Sequence, residues 1–243
     1  KMLNDVLFQS SRHKLLQGGM QGSGTDHSLA FFDLTNSFAC NDFGVIDHFL
    51  PQNLPLSKGV YWFEVASNLL KGLYYNDAAI KEESVHLADK FLKKKRTQWE
   101  AAIITYLKAL IYADKDEASN SLQNLCPAYQ KMEHFGGKHV KCFASEIHGL
   151  YRLARKTSPD LFEQIIPPEH PSFFEEFEVW QAENSYPKGQ LFYKYPQEMD
   201  YMNRIFKAEL PFVALIKSER ARVPCYKDHE RFALDLTANI EVL

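Results

Sequence analysis

The sequence predicts an all-α fold built as a helical-hairpin array, and three observations carry that prediction. Apolar residues recur at helical spacing through most of the stretch from Ser57 to Lys156. The phrase LKGLYYND at residues 70–77 returns as LKALIYAD at 107–114, each copy preceded by a tryptophan, Trp62 and Trp99. Capping signals stand where the apolar runs begin: Asn76-Asp77 before one, Thr97 with Glu100 three residues on before another.

The elements follow in chain order. Residues 1–56 read as an irregular N-terminal packing segment. Leu3, Val6, Leu7, Leu15 and Leu16 fit one short helix or two fragments, Gly18 to Ser28 is a glycine-rich loop, and the aromatic stretch up to Pro55 is irregular or made of short helical pieces. Residues 57–156 hold the repeats. Val60, Phe63, Ala66, Leu69, Leu70 and Leu73 mark a first helix. A second, with Val85, Ala88 and Phe91, ends in the cationic KKKR at Lys93–Arg96. Trp99, Ile103, Tyr106, Leu107 and Leu110 mark a third, and Ala118, Leu122, Leu125 and Tyr129 a fourth. Trp62 and Trp99 stand 37 residues apart, and Leu70/Leu107, Lys71/Lys108, Leu73/Leu110 and Asp77/Asp114 keep that offset. A period of this size belongs to helical-hairpin, TPR-like arrays.

A fainter third echo, Gly149-Leu150-Tyr151, lies in a helix expected from about His139 to Lys156. Residues 157–243 are C-terminal helices and loops: a proline connector, a helix capped by Ser172, a loop, a helix ending before Pro211, and a tail that reads as a short strand or helix. No boundary has the composition of a flexible linker, so residues 1–243 read as a single all-α domain.

The 243 residues suffice for a buried core without staples, and the 45% hydrophobic and 24% charged content is that of an ordinary globular protein. A net charge of -3 argues against a dedicated nucleic-acid binder. The four cysteines, Cys40, Cys126, Cys142 and Cys225, show no CxxC pairing and read as free thiols. No apolar run is long enough to span a membrane and no signal pattern opens the chain, so a cytoplasmic protein without membrane contact is expected.

Sites of chemistry are scarce. The glycine loop contains GMQGSG, but no strand precedes it and no helix opens at its last glycine, which a phosphate cradle needs. Cys126, His134, His139 and Cys142 form the tightest cluster of metal-ligating types, yet their spacing is no familiar zinc knuckle. Neither HExxH nor GxSxG occurs. The expectation is a chain that is not an enzyme, with no catalytic residue, cofactor or metal. The KKKR run reads as a solvated helix end.

Acidic residues are more suggestive. Between Lys156 and Lys188 there is no lysine or arginine, while Asp160, Glu163, Glu169, Glu175, Glu176, Glu178 and Glu183 gather among Phe173, Phe174, Phe177 and Trp180. One reading is a grip for a basic protein, in which charge steers encounter and aromatics anchor the centre; the contact set would be Glu169, Phe173, Glu175, Glu176, Glu178, Trp180 and Glu183. The other is an amphipathic helix whose aromatics enter the core and whose acids are merely wet.

VYWFEVASNLLKGLYYND, WEAAIITYLKALIYADKDEASNSLQNL, HVKCFASEIHGLYRLARKTSPD and PPEHPSFFEEFEVW together resemble the all-α immunity proteins of bacterial polymorphic toxin systems, most like the immunity protein 49 family. The resemblance covers Ser57 to Asn184. It implies a cytoplasmic protein that binds a cognate toxin C-terminal domain, such as a basic nuclease, and neutralises it by occluding its active site or substrate-binding surface. The alternative is a TPR-like peptide-binding adaptor or scaffold, which would present polar or basic side chains near Lys71 and Lys108 on a concave face.

Overall fold

The computed structural model describes residues 1–20, 30–132, 141–217 and 225–243. In chain order the helices are α1 (Met2–Met20), α2 (Phe31–Ala39), α3 (Val45–Phe49), α4 (Trp62–Tyr74), α5 (Ala78–Leu92), α6 (Gln98–Tyr112), α7 (Lys115–Lys131), α8 (Ser145–Thr157), α9 (Pro159–Phe162), α10 (Glu175–Glu183) and α11 (Asp200–Lys207). A strand pair, β1 (Leu215–Lys217) and β2 (Cys225–Lys227), and α12 (His229–Glu241) complete the chain. The fold is all-α, and the C-terminal tail carries both a short antiparallel hairpin, pairing Ile216 with Tyr226, and a helix. The chain divides into two compact units: Leu54–Tyr186, and Lys1–Asn53 together with Pro187–Leu243.

The unit spanning Leu54–Tyr186 contains the repeats. Helix α4 packs on α5 and α6 on α7, with α4 also against α6. The repeated leucines point inward: Leu70 and Leu107 are fully buried, with Leu73 and Leu110 nearly so. Both repeated aspartates cap a following helix, since Asp77 Oδ1 accepts the Ile80 N–H at 3.1 Å and Asp114 Oδ1 the Glu117 N–H at 3.0 Å. Thr97 and Glu100 form the expected capping box: Thr97 Oγ1 accepts from the Glu100 N–H at 3.2 Å, and Glu100 Oε2 from the Thr97 N–H at 2.9 Å. At Gly72 a Cβ would lie 3.1 Å from the Lys81 backbone, so a bare glycine lets α4 and α5 approach. Tyr106 ties α6 to α8 by donating its hydroxyl to the Leu150 carbonyl at 2.9 Å inside the core.

Two details of this unit depart from expectation. Helix α8 begins at Ser145, not near His139, because the Ala144 N–H is taken by the Ser172 carbonyl at 2.9 Å, while residues 133–140 lie outside the described residues. Ser172 does not cap α10. It is buried in a turn, where its hydroxyl meets His170 Nδ1 at 2.8 Å, and the helix starts three residues later.

In the other unit, the N-terminal stretch follows the helical of its two readings: one helix over Met2–Met20, longer than the short one expected, and the short helical pieces α2 and α3 in the aromatic stretch. Helix α1 runs unbroken to Met20, through Gly18 and Gly19. A Cβ on Gly19 would fall 2.3 Å from the Phe232 ring of α12, so this glycine serves close helix packing where the sequence suggested a loop. The GMQGSG loop itself is beyond the described residues for most of its length. The core here gathers Leu15 and Leu16 of α1, Phe31, Leu34 and Phe38 of α2, and Phe232 of α12.

Candidate partner-binding surface

Helix α8 sets His148 and Arg152 one turn apart on a single face, both shielded from solvent. Glu178, at the middle of α10, bridges them: its Oε1 lies 2.5 Å from His148 Nδ1, and its Oε2 pairs with Arg152 Nη2. The His148 ring is sandwiched between Phe143, 4.7 Å away and 16° inclined, and Phe173, 4.2 Å away and 12° inclined. His148 Nε2 accepts the Phe174 N–H at 3.2 Å. That acceptor role assigns the ring proton to Nδ1, which donates it to Glu178. Burial is the main influence on this imidazole and lowers its pKa below 6.5, against the pull of Glu178. The guanidiniums of Arg152 and Arg155 lie 4.6 and 3.6 Å from the Tyr186 ring centre.

This network fixes which way α10 faces. Phe177 and Gln181, one turn apart, are buried, while Glu175, Glu176, Val179 and Glu183 share the opposite face and are exposed. The proline connector is held as firmly. The Ile166 N–H donates to Ser119 Oγ at 3.0 Å and the Glu169 N–H to Gln123 Oε1 at 2.9 Å, leaving the Glu169 side chain and Ile166 in solvent. Asp160 and Glu163 are exposed on the same stretch.

The expected contact set therefore splits. Glu169, Glu175, Glu176 and Glu183 are on the surface and Trp180 is half-buried, 6.5 Å from the Phe177 ring. Phe173 and Glu178 are withdrawn from the set: Phe173 packs on His148 and Tyr151, and Glu178 spends its carboxylate on His148 and Arg152. The exposed apolar groups are instead Phe174, Val179 and Ile166, at 46%, 49% and 67% exposure, large enough to anchor a contact. Of these, Val179 was legible from its helical spacing to Glu175 and Glu183. Ile166, in a connector without periodicity, left no signal.

The other sequence candidates resolve as follows. Cys126 is buried, its thiol pushed up to about 11 by desolvation, and Cys142 is exposed, while His134 and His139 lie outside the described residues. Among the described residues no group of three or more side chains is placed to hold a metal ion. Lys93, Lys94 and Lys95 are exposed, and Arg96 folds back to donate to the Phe91 carbonyl with its guanidinium 3.4 Å from that ring. No described helix is long and apolar enough to cross a membrane.

Comparison with family models, curated proteins and solved structures finds no match for this chain.

Proposed function

We propose that the chain is an immunity-type binding protein, which neutralises a basic toxin domain by covering its active site or substrate-binding surface with the acidic end of the unit spanning Leu54–Tyr186. The observation that carries this reading is the outer face of α10: Glu175, Glu176 and Glu183 are exposed with Val179 between them, on a helix pinned from behind by Glu178. Six exposed carboxylates without an intervening cation, from Asp160 to Glu183, favour encounter with a cationic surface, and Phe174, Val179 and Ile166 supply apolar area at the contact. The likeness of residues 57–184 to immunity proteins points the same way. Occlusion of this kind asks for no catalytic group, and a cytoplasmic setting is part of the reading.

The adaptor alternative loses one of its supports. Lys71 is 1% exposed and donates its ammonium to the Leu54 carbonyl, and Lys108 pairs with Asp89, so a basic peptide-reading face at these two positions lacks Lys71.

The test is co-expression with the product of the neighbouring gene, which the reading requires to carry a toxin domain. The parent chain should restore growth and co-purify with the domain as a stoichiometric complex. A variant with Glu175→Lys, Glu176→Lys and Glu183→Lys should fold but lose protection. Failure to protect, or full protection by the triple variant, overturns the reading.

A further inference from the structure

The unit formed by Lys1–Asn53 and Pro187–Leu243 carries an open cavity of about 750 Å³, within the size range of small-molecule sites. One of its walls is tied down by hydrogen bonds. The segment after Pro187 is tied to α1 and to the end of α2 by hydrogen bonds from Asn4 Nδ2 and Asn41 Nδ2 to the Pro187 carbonyl, both at 3.0 Å, and from the Gly189 N–H to the Cys40 carbonyl at 3.0 Å. A preformed site needs this kind of support.

Arg12 is the feature that calls for a ligand. It is 8% exposed and lines the cavity, yet among the described residues it has no carboxylate within ion-pair distance. Its Nη2 donates to the Ala208 carbonyl, and its Nε is buried without any partner. A buried guanidinium in this state is costly unless an anion completes it. Asp42 and Glu209 are near enough to favour the guanidinium electrostatically, but Asp42 pairs its carboxylate with Lys188 at 2.6 Å and neither forms an ion pair with Arg12. Lys194 and Lys207 also line the cavity and are exposed, without an ion-pair partner among the described residues. Four cations thus face two carboxylates, Asp42 and Glu209, leaving positive charge in excess.

Two further groups define the rest of the ligand. Phe8 and Phe206 are apolar members of the lining, with the Arg12 guanidinium 5.8 Å and the Lys188 ammonium 5.6 Å from the Phe8 ring centre. His48 also lines it, with a buried Nδ1 that has no partner and a ring stacked 4.4 Å from Phe212. That nitrogen offers a single directional hydrogen bond.

We infer that this cavity binds a small organic anion, a phosphate or carboxylate carrying one planar apolar ring, with Arg12, Lys194 and Lys207 taking the anionic head and Phe8 and Phe206 the ring. This site is independent of the acidic surface on the other unit, and goes beyond toxin neutralisation.

Calorimetric titration of the full chain tests it, using phenyl phosphate and benzoate as charged probes, benzyl alcohol as the neutral ring and inorganic phosphate as the head alone. At least one charged ring should bind one to one, about tenfold or more tighter than benzyl alcohol and than inorganic phosphate. Binding should weaken with rising salt. Arg12→Gln should abolish it. Because that variant risks misfolding, Lys194→Gln/Lys207→Gln, confined to exposed side chains, should weaken it about tenfold with an unchanged circular-dichroism spectrum. Equal binding of charged and neutral rings, no binding of either charged ring, or undiminished binding by the double lysine variant overturns the inference.

Discussion

Asn76 and Ala113 share a left-handed backbone conformation, with φ of 50° and 53°, and stand 37 residues apart, each immediately before the aspartate that caps the next helix. The repeat therefore extends from packed leucines to the geometry of the turn between paired helices. Asparagine tolerates this region, whereas alanine pays for its Cβ there. Ala113→Asn, which makes the second turn match the first, should stabilise the chain by about 0.5–1 kcal/mol, and Asn76→Ala should cost at least as much. Chemical denaturation of the two variants beside the parent checks both signs; a destabilised Ala113→Asn refutes the account.

The Arg152–Glu178 pair sits where neither group can recover water, with side chains 1% and 10% exposed. Glu178→Leu strands a buried guanidinium and removes the acceptor of the His148 Nδ1–H, at an expected cost of about 3–5 kcal/mol. Adding Arg152→Leu removes the stranded charge and should recover a good part of that loss. Urea unfolding of the parent, both single variants and the double variant measures the coupling, and strict additivity would show that the two side chains do not act as a pair.

The same site makes stability sensitive to mild acid. Burial depresses the pKa of His148 in the folded chain below the ordinary 6.5; Glu178 and Glu146 oppose the shift and Arg152 adds to it. The unfolded chain then binds a proton that the folded chain resists, so this contribution is fully present above pH 6.5 and is lost as pH falls through the folded value. The melting temperature should drop as pH falls below 6.5, and His148→Asn, although less stable throughout, should show a flatter slope there. Equal slopes for parent and variant would locate the acid sensitivity elsewhere.

Lys71 gives the opposite arithmetic at the alkaline side. Burial lowers its pKa from 10.5 to about 8, with Asp77 pulling weakly the other way. At neutral pH the ammonium is charged in both states and its full burial cost is present. Between about 8 and 10.5 the folded chain releases the proton first, so the cost is relieved as pH rises. Lys71→Met forfeits one hydrogen bond to the Leu54 carbonyl, worth about 1 kcal/mol, but removes the buried charge. The variant should match or exceed the parent in stability at pH 7, with the difference shifting in the parent's favour as pH rises from 8 to 10. Thermal melts across that range decide it.

How far the sequence foretold this molecule depends on whether local pattern or tertiary packing sets each feature. Asp77, Asp114 and the Thr97/Glu100 box were legible because a cap is written within four residues, and Leu70/Leu107 because helical periodicity marks a buried face. Gly19 was misread as loop because its purpose, admitting Phe232, depends on a residue more than two hundred positions away. Phe173 and Phe174 are adjacent and chemically identical. Their division into a buried ring and a surface ring is imposed by His148, which stacks on one and accepts the N–H of the other. Glu178 read as one more acid in an acidic run, since nothing local to it announces Arg152 on another helix.

Gly189 offers a test of the packing that frames the cavity. A Cβ there would lie 2.5 Å from Phe8 Cβ and 2.7 Å from the Asn4 carbonyl oxygen, contacts that no side-chain rotation relieves because both atoms belong to or adjoin the α1 backbone. The segment cannot simply lift away: the Gly189 N–H is bonded to Cys40, and the Gln190 N–H donates to Asp5 Oδ1 at 3.0 Å. Gly189→Ala must therefore break these hydrogen bonds or shift α1, at an expected cost of about 1–3 kcal/mol. Because Phe8 and Arg12 lie one turn apart on α1, a shift of that helix also displaces the buried guanidinium. Hydrogen exchange should show faster opening at the Gly189 and Gln190 amides in the variant, alongside a lower melting temperature. Unchanged protection at both amides with an unchanged melting temperature would mean that the chain accommodates a methyl group where the geometry leaves none.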